Sequence, residues 1–596
     1  MKKGVTPKPL ANKNDDSKVA STASKELGSI GPVSNIERLN NESKKSGSDN
    51  EIFTQTEVFS HAHATASLEN LYRIFTVPEA PDSTLGSIDK EISDNLLGFL
   101  TDRIVTREKP LKAIEADFSN SSIPEVPQFV SDYTDFVMDK LVAHSVHTAA
   151  PGFIGHMATP LPYFMLPLSR IMVALNQNLV KIETSKAFTP LERQVLGMMH
   201  GIIYEQGDAF YQDNLHNSQR ALGSFCSGGT TANITALWVA RNNMFPITET
   251  FQGIAKEGLA RAIKQSPYDD LAVIVSKRGH YSLGKAADVL GIGRQNVLSI
   301  DTDDHSKINI KELRAKCAEL KANNVGIISI IGIAGTTETG SVDNLAEMAQ
   351  IAAEYNTHFH VDAAWGGPIL LSNTHKHKLS GIELADSVTI DAHKQLYVPM
   401  GAGMVLFKDP TMLATVEHHA EYILRAGSKD LGQYTLEGSR SGMAMLVHAA
   451  FHIIGRKGYQ IIIDQNVDRT QKFAALIDAH PEFELTAEPE LNILNYRYVP
   501  SELQKELANS NKDRQKLINE KLDRVNKRIQ KLQRAAGKTF VSRTRFSQAK
   551  YGGDAISVFR VVLANPMTTT DTLQSILDEQ VEWAQGERNR EILSKI

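Results

Sequence analysis

The chain has 596 residues, of which 41% are hydrophobic and 22% charged, and its formal net charge is −5. These values are typical of a globular protein with room for two or three domains, and they give no reason to expect nucleic acid or a membrane surface as partner. Its two cysteines, Cys226 and Cys317, are too few for a disulfide framework or a cysteine-based zinc site, and we predict no metal. Because no signal segment or membrane-length apolar run is visible, we expect a soluble cytoplasmic enzyme.

The start of the chain is predicted to be a disordered tail, residues 1–60. Residues 1–50 contain no Phe, Trp or Tyr, so they cannot bury enough apolar surface to offset chain entropy. Residues 61–165 are predicted to form an N-terminal helical segment, with apolar faces at Leu68–Phe75 and Leu96–Leu100. This segment ends in a loop rich in proline, glycine and histidine, and loops of that kind often line functional sites.

Residues 166–434 are predicted to form a large α/β domain. The part before residue 245 is predicted to be mostly helical, with an interruption at Gly223–Thr231. The rest alternates amphipathic helices, including Ile310–Ala322 and Asn344–Tyr355, with short apolar strands at Leu271–Val275, Val297–Ile300, Gly326–Ile333, His358–Val361, Val388–Ile390 and Met404–Phe407. This alternation is typical of a mostly parallel sheet that is covered on both faces.

Residues 435–596 are predicted to form a smaller C-terminal α+β domain. It contains two strand-like runs, Leu491–Tyr496 and Ile556–Leu563, and a final helix, Thr570–Ala584. Residues 502–534 carry an apolar stripe with heptad-like spacing, made of Ile518, Leu522, Val525, Ile529 and Leu532. The stripe indicates either a helix packed by one face against its own domain or a helical contact between two subunits.

Four chemically useful side chains follow predicted strands. Lys394, Asp362, Thr337 and His280 each come soon after a strand, and ligands of parallel sheets bind beyond the carboxyl ends of the strands. We therefore expect them to lie close together. A lysine at such a position becomes a nucleophile when burial or a nearby cation lowers its pKa, which points to a covalently bound cofactor.

Two further patterns suit a phosphorylated, flat cofactor. Ser227–Thr231 stands just before a predicted helix and offers backbone N–H and hydroxyl donors to a phosphate, although such a sequence alone is commonly a turn and a helix cap. Asp362 ends a buried strand and needs a cationic partner, for which a protonated pyridine nitrogen is one possibility and the cap of a turn another. The small Ala364 leaves room for a ring, and His280 could stack on it.

These motifs, in their order along the chain, resemble those of the fold-type I pyridoxal-phosphate enzymes, and within them the group II amino-acid decarboxylases. The runs His360-Val-Asp-Ala-Ala-Trp365 and Asp391-Ala-His-Lys394 carry the resemblance. It implies pyridoxal 5'-phosphate as cofactor and decarboxylation as the reaction. It assigns the Schiff base to Lys394, the phosphate to His393, Gly229 and Thr230, the pyridine nitrogen to Asp362, the ring faces to His280 and Ala364, and a supporting polar contact to Thr337.

The substrate is predicted from Arg560 and His156. Arg560 resembles the carboxylate-binding arginine of the glutamate and cysteine-sulfinate branch, and a guanidinium fork suits a carboxylate. His156 stands where that branch has substrate contacts. The segments Phe75–Gly86, Phe153–Met157 and Asn176–Glu192 resemble the bacterial pyridoxal-dependent aspartate 1-decarboxylases, which implies conversion of L-aspartate to β-alanine for pantothenate and coenzyme A. Glutamate or cysteine sulfinate as substrate, and a non-catalytic protein that retains the fold, are the alternatives.

The resemblance also implies a proton donor and a shared site. Related enzymes use a tyrosine on a loop after the Schiff-base strand, and residues 419–436 contain Tyr422 and Tyr434. We assign the role to Tyr434. Gly438 and Ser439 are expected to reach the phosphate in the neighbouring subunit, since these enzymes place their sites at the interface of a homodimer.

Overall fold

A computed structural model describes residues 109–420, 427–547 and 554–594, together with Lys90, Ile92–Asp94, Leu96, Gly98, Phe99, Ile104–Arg107 and Tyr551. The predicted tail and the predicted helix at Leu68–Phe75 lie outside these residues. The chain divides into two units, Met1–Ile92 with Ser119–Asp139 and Ser93–Phe118 with Lys140–Ile596. Helix α1, Leu111–Asp117, belongs to the second unit, and helix α2, Val130–Phe136, belongs to the first.

In the described part of the second unit, three more α-helices follow α1 and precede the first strand. They are α3 (Met165–Leu175), α4 (Phe188–Tyr204) and α5 (Asp208–Asn214). Helix α4 forms because its apolar residues recur on one face, and Val195, Leu196, Met199 and Ile203 are all buried. That face packs into the core below the large sheet.

The large sheet has seven strands in the order β1-β7-β6-β5-β4-β2-β3. The strands are β1 (Gly223–Cys226), β2 (Asp270–Ser276), β3 (Val297–Ile300), β4 (Val325–Ile333), β5 (His358–Asp362), β6 (Ser387–Asp391) and β7 (Gly403–Phe407). Neighbours from β3 to β6 are parallel, while β7 is antiparallel to both β6 and β1. The predicted mostly parallel sheet is thus confirmed. Strand β1 was missed, because a four-residue strand that starts with glycine and serine has no clear apolar pattern.

Helices cover both faces of this sheet. They are α6 (Gly229–Asn243), α7 (Ile254–Glu257), α8 (Leu259–Lys264), α9 (Ser282–Val289), α10 (Ile310–Ala322) and α11 (Leu345–Glu354). On β4, Ile330 belongs to the core on one face and Ile331 to the core on the other, and both are fully buried. Burial on both faces explains why the parallel strands are continuous apolar runs.

The remaining elements build a four-stranded antiparallel sheet with helices. They are α12 (Ala444–Ile453), α13 (Gly455–Ala479), β8 (Phe483–Leu485), β9 (Ile493–Tyr498), α14 (Ser501–Asn509), α15 (Lys512–Ala536), β10 (Ser542–Ser547), β11 (Ala555–Val562), α16 (Thr570–Ala584) and α17 (Glu587–Leu593). The sheet order is β10-β11-β9-β8. Among the described residues, no helix has both the length and the apolar composition that crossing a membrane requires.

The apolar stripe predicted within residues 502–534 lies on α15. Ile518, Leu522, Val525 and Ile529 are fully buried inside the chain's own core. The first alternative, a helix packed by one face against its own domain, is therefore correct for these residues.

Candidate active site

A cavity of about 340 Å³ lies where β2, β4, β5 and β6 end. Loops after parallel strands meet at the carboxyl edge of the sheet, so the side chains that follow these strands converge there. The lining contains eight of the predicted residues, Gly229, Thr230, His280, Thr337, Asp362, Ala364, His393 and Lys394. The structure thus brings the proposed cofactor residues together in one place.

Lys394 lies three residues beyond the end of β6 and is fixed from several directions. Its Nζ is 2.9 Å from Oδ2 of Asp391, and its side chain is 19% exposed. Its backbone N–H donates to the Asp391 carbonyl at 3.2 Å, and its own carbonyl accepts from Oγ1 of Thr159 at 2.9 Å. Thr159 belongs to the loop between His147 and Pro160, and Met157 of the same loop lines the cavity. The prediction that this loop lines a site therefore agrees with its position.

One end of the cavity is formed by the start of α6. The first backbone N–H groups of a helix have no partner within it, and its dipole favours an anion there. Glycines allow this helix to approach β6 closely: a Cβ on Gly229 would lie 2.7 Å from Oδ2 of Asp391, and a Cβ on Gly403 would lie 2.6 Å from Cα of Gly228. The hydroxyls of Ser227 and Thr231 lie 3.1 Å apart beside it. Backbone donors and hydroxyls thus surround a space of the kind that binds phosphate.

His393 faces the same end of the cavity. Its Nδ1–H donates to the carbonyl of Ala402 at 2.9 Å, which directs Nε2 toward Asp391, 3.7 Å from Oδ2. The ring orientation is therefore set by the backbone before any ligand binds.

Asp362 lies at the opposite side of the cavity and is held by two hydrogen bonds. Oδ1 accepts from the backbone N–H of Ala364 at 3.1 Å, and Oδ2 accepts from Nδ2 of Asn233 at 2.9 Å. Oδ1 of Asn233 in turn lies 3.1 Å from Nε2 of His360. Burial lowers the pKa of His360 to about 4, so its ring is neutral at pH 7 and Nε2–H donates to Asn233. This chain fixes which way the Asn233 amide points and, through it, the Asp362 carboxylate.

Asn233 also connects to His280. Its Nδ2 donates to Oγ of Ser282 at 3.1 Å, and that hydroxyl lies 2.8 Å from Nδ1 of His280. The backbone N–H of Ser282 also donates to Nδ1, so Nδ1 is an acceptor and the ring proton lies on Nε2. Burial is the main cause that lowers the pKa of His280. One buried amide therefore orients both the carboxylate and the imidazole of the cavity.

Arg560 and His156 do not line the cavity itself but border it. Arg560 Nε donates to the carbonyl of Thr337, a lining residue, at 2.5 Å, and Nη1 donates to the carbonyl of Gly155 at 3.3 Å. The side chain is 7% exposed, and its Nη2 is buried without a hydrogen-bond partner in the described part of the chain. Desolvation, followed by the positive charges of Arg560 and Lys394, lowers the pKa of His156. The two predicted substrate residues are therefore close to each other and to Lys394.

Tyr434 is not at the cavity. Its side chain is 1% exposed within a cluster that includes Cys226 and Val405, and its hydroxyl donates to the carbonyl of Ser218 at 3.3 Å. Burial raises the pKa of this phenol to about 12. A side chain enclosed in the core of its own chain can reach neither this cavity nor that of a second copy, so its placement argues against the predicted role. Tyr422 lies outside the described residues.

Gly438 and Ser439 also lie away from the cavity of their own chain. Ser439 Oγ accepts from Nδ2 of Asn178 at 2.9 Å, and both residues are exposed. The residue before them, Glu437, accepts a hydrogen bond from the backbone N–H of Ser227 at 3.2 Å, which places the segment near the start of α6. Their contact with the phosphate of a neighbouring subunit stays a prediction.

The lining residues that received no role from the sequence include Asn233, Arg278 and Asp391. Asn233 carries one weak signal, a buried amide in an otherwise small and apolar stretch of helix. Asp391 stands inside the run that led to Lys394, yet nothing in the sequence indicated which way its carboxylate points. Only the fold reveals their neighbours.

Known proteins similar to this chain agree with the geometry. A model of the pyridoxal-dependent decarboxylase conserved domain matches residues 110–499. Aspartate 1-decarboxylase of Aliivibrio fischeri is 58% identical over 521 residues, which cover 87% of this chain and 95% of that relative. L-2,4-diaminobutyrate decarboxylase of Rhizobium meliloti is 27% identical over 476 residues, 79% of this chain and 84% of that protein. The crystal structure of mouse CSAD has the same fold, with a TM-score of 0.73 at 22% identity over 84% of this chain and 99% of that chain.

Proposed function

This chain belongs to the pyridoxal-dependent decarboxylase family, and on that premise we propose that it removes the α-carboxylate of L-aspartate to give β-alanine and CO₂. The observation that supports this substrate is the buried guanidinium of Arg560, whose Nη2 forms no hydrogen bond with any described residue. The similarity to aspartate 1-decarboxylase of Aliivibrio fischeri supports the same substrate. The product would supply pantothenate and coenzyme A synthesis.

The cofactor is pyridoxal 5'-phosphate, and the residues present fit it. The start of α6 offers backbone N–H groups and the hydroxyls of Ser227 and Thr231 to a phosphate. Lys394 is the lysine that would attach the cofactor, and Asp362, whose carboxylate is fixed in the cavity by two donors, would hold a proton on the cofactor's ring nitrogen. When bound, the cofactor supplies an electron sink for the pair left behind by CO₂. His280 and Ala364 would contact the ring.

Arg560 supplies the contact that distinguishes an acidic substrate. A buried guanidinium binds a carboxylate by a charge-assisted pair of hydrogen bonds, and such bonds are stronger in a desolvated site. Three of its contacts, to Thr337, Gly155 and Ser542, already fix the side chain, so little freedom is lost on binding. Neutral His156 would add a hydrogen bond without adding a second charge. The protein thus holds the side-chain carboxylate and leaves the α-carboxylate free to depart.

We expect CO₂ release to favour L-aspartate over L-glutamate and L-cysteine sulfinate. Glutamate is longer by one methylene, a difference worth about 10–200-fold in kcat/KM when a pocket is fitted to the shorter substrate. The measurement is kcat/KM for each amino acid separately with cofactor-saturated protein. A preference for either competitor would assign the chain to that substrate instead. Equal values for the three amino acids would contradict the proposed preference for L-aspartate.

We expect Tyr434→Phe to leave turnover within about twofold, because a side chain away from the reacting atoms makes no transition-state contact. The free energy of unfolding is expected to fall by about 1 kcal/mol, the usual contribution of one hydrogen bond. The measurements are kcat on L-aspartate and urea unfolding, with Tyr422→Phe as the matched change elsewhere in residues 419–436. A fall in kcat of about a hundredfold or more at unchanged cofactor content would restore Tyr434 as the proton donor.

We also propose a homodimer, supported by an apolar surface on α3. Leu166, Ile171, Val173 and Leu175 are all exposed on this one helix, Val173 by 70%. Large apolar side chains exposed together on one short helix are typical of a protein interface. The cytoplasmic location stays a prediction from composition.

A further inference from the structure

Asp391 is a buried acid of the cavity that the proposed reaction does not use. Its side chain is 4% exposed, with Oδ2 2.9 Å from Nζ of Lys394 and 3.7 Å from Nε2 of His393. Oδ1 is buried and has no hydrogen-bond partner among the residues that the structure describes. Oδ2 is therefore held by the amine of Lys394, whereas Oδ1 is poorly satisfied.

Both carboxylate oxygens lie close to glycine backbone, Oδ2 at the start of α6 and Oδ1 at the start of β7. Oδ2 lies 2.7 Å from the position of a Cβ on Gly229, and Oδ1 lies 2.8 Å from the position of a Cβ on Gly403. Helix α6 has 15 residues, and the N-terminus of such a helix attracts anions. Asp391 thus already places a negative charge at the end of the cavity where the hydroxyls of Ser227 and Thr231 also lie.

Two anions at this end oppose each other. A phosphate that accepts hydrogen bonds from the start of α6 would lie within a few ångströms of the Asp391 carboxylate, and like charges in a desolvated site repel strongly. The ion pair with Lys394 adds a second cost, because Lys394 must leave Asp391 before its amine can attach the cofactor. Both effects weaken cofactor binding, but only the first depends on the phosphate.

We propose that Asp391 acts as a competing anion at the phosphate end of the cavity: it pairs with Lys394 in the cofactor-free protein and lowers the affinity for the phosphate group of the cofactor. The proposal rests on the proposed function only through its cofactor. It gives the chain a way to bind pyridoxal phosphate less tightly than the donor groups around α6 would otherwise allow.

The test compares two ligands that differ only in the phosphate. Dissociation constants of pyridoxal and pyridoxal phosphate are measured for the full-length, cofactor-free wild type and for Asp391→Asn, by quenching of tryptophan fluorescence, since Trp365 lines the cavity. Loss of the Lys394 ion pair affects both ligands alike, so it cancels in the ratio of the two constants. We expect Asp391→Asn to raise the preference for pyridoxal phosphate over pyridoxal by about tenfold, the size of a modest charge repulsion.

The matched control is Asp362→Asn, which removes the same charge at the other side of the cavity. It is expected to weaken both ligands and to leave their ratio unchanged. If Asp391→Asn does not fold, as judged by thermal unfolding, Asp391→Ser removes the charge with a smaller side chain and should change the ratio in the same direction.

The outcomes separate this proposal from the one before it. If the wild type binds pyridoxal phosphate and Asp391→Asn does not change the ratio of the two dissociation constants, the role of Asp391 is wrong, but the cofactor assignment still holds. A wild type that binds neither ligand overturns both. If Asp362→Asn changes the ratio of the two dissociation constants as much as Asp391→Asn does, the cause is a general effect of charge in the cavity. That result also overturns the specific role of Asp391.

Discussion

Replacing Lys394 with alanine is expected to lower CO₂ release from L-aspartate by more than about a thousandfold, the scale at which a covalent nucleophile is lost. The reason is positional: Lys394 is the one amine among the cavity-lining residues of the described chain, and its backbone is fixed by Asp391 and Thr159. Turnover on L-aspartate is the first measurement. The second is the mass of the peptide that contains residue 394 after borohydride treatment, which gains the cofactor in the wild type.

The matched control is Lys277→Ala. Lys277 directly follows β2 of the same sheet, but it pairs with Asp301 at 2.8 Å and does not line the cavity. Its loss should change neither turnover nor the labelled peptide. If Lys394→Ala retained full activity and the wild type were never labelled at Lys394, the covalent role would be wrong, and a non-catalytic protein that retains the fold would fit better.

Replacing Arg560 with methionine is expected to lower kcat/KM for L-aspartate. The loss corresponds to about 2–5 kcal/mol of transition-state stabilisation, the cost of removing one partner from a buried charged pair. Methionine keeps much of the apolar stem but removes every N–H, so the substrate carboxylate would be buried without a partner. Burial lowers the pKa of Arg560 to about 10, which still leaves the guanidinium charged at neutral pH. Its effect on substrate should therefore persist across pH 6–8.

Arg560→Lys is the informative companion. It keeps the charge but not the planar fork, so it should recover part of the lost kcat/KM. The dissociation constant of pyridoxal phosphate, measured in both variants, controls for damage to the site as a whole, because Arg560 also holds Thr337 in place. Unchanged kcat/KM in Arg560→Met, at wild-type cofactor affinity, would show that another group binds the side-chain carboxylate.

Much of the site was predictable because parallel sheets put consecutive strand ends at one edge. The boundaries of β3, α10 and α16 agree with the sequence pattern, and His280, Asp362 and Lys394 meet as expected. Strand β1 was not predictable, because it is short and its burial depends on pairing with β7, a strand distant in sequence. Arg560 itself was predicted, but its partners Thr337 and Gly155 were not, because they come from remote parts of the chain.

The sequence by itself determined the family and the cofactor, and it predicted which lysine carries that cofactor, because those depend on short ordered runs such as Asp391-Ala-His-Lys394. Only the tertiary structure decided where each side chain points. Tyr434 is buried in the core, and Asn233 links Asp362 to His280 through hydrogen bonds. Asp391 contacts Lys394 and lies close to the start of α6. The physical reason is that hydrophobic periodicity indicates which face of a helix or strand is buried. Which polar groups become hydrogen-bond partners depends on how distant elements pack together, and local sequence patterns do not contain that information.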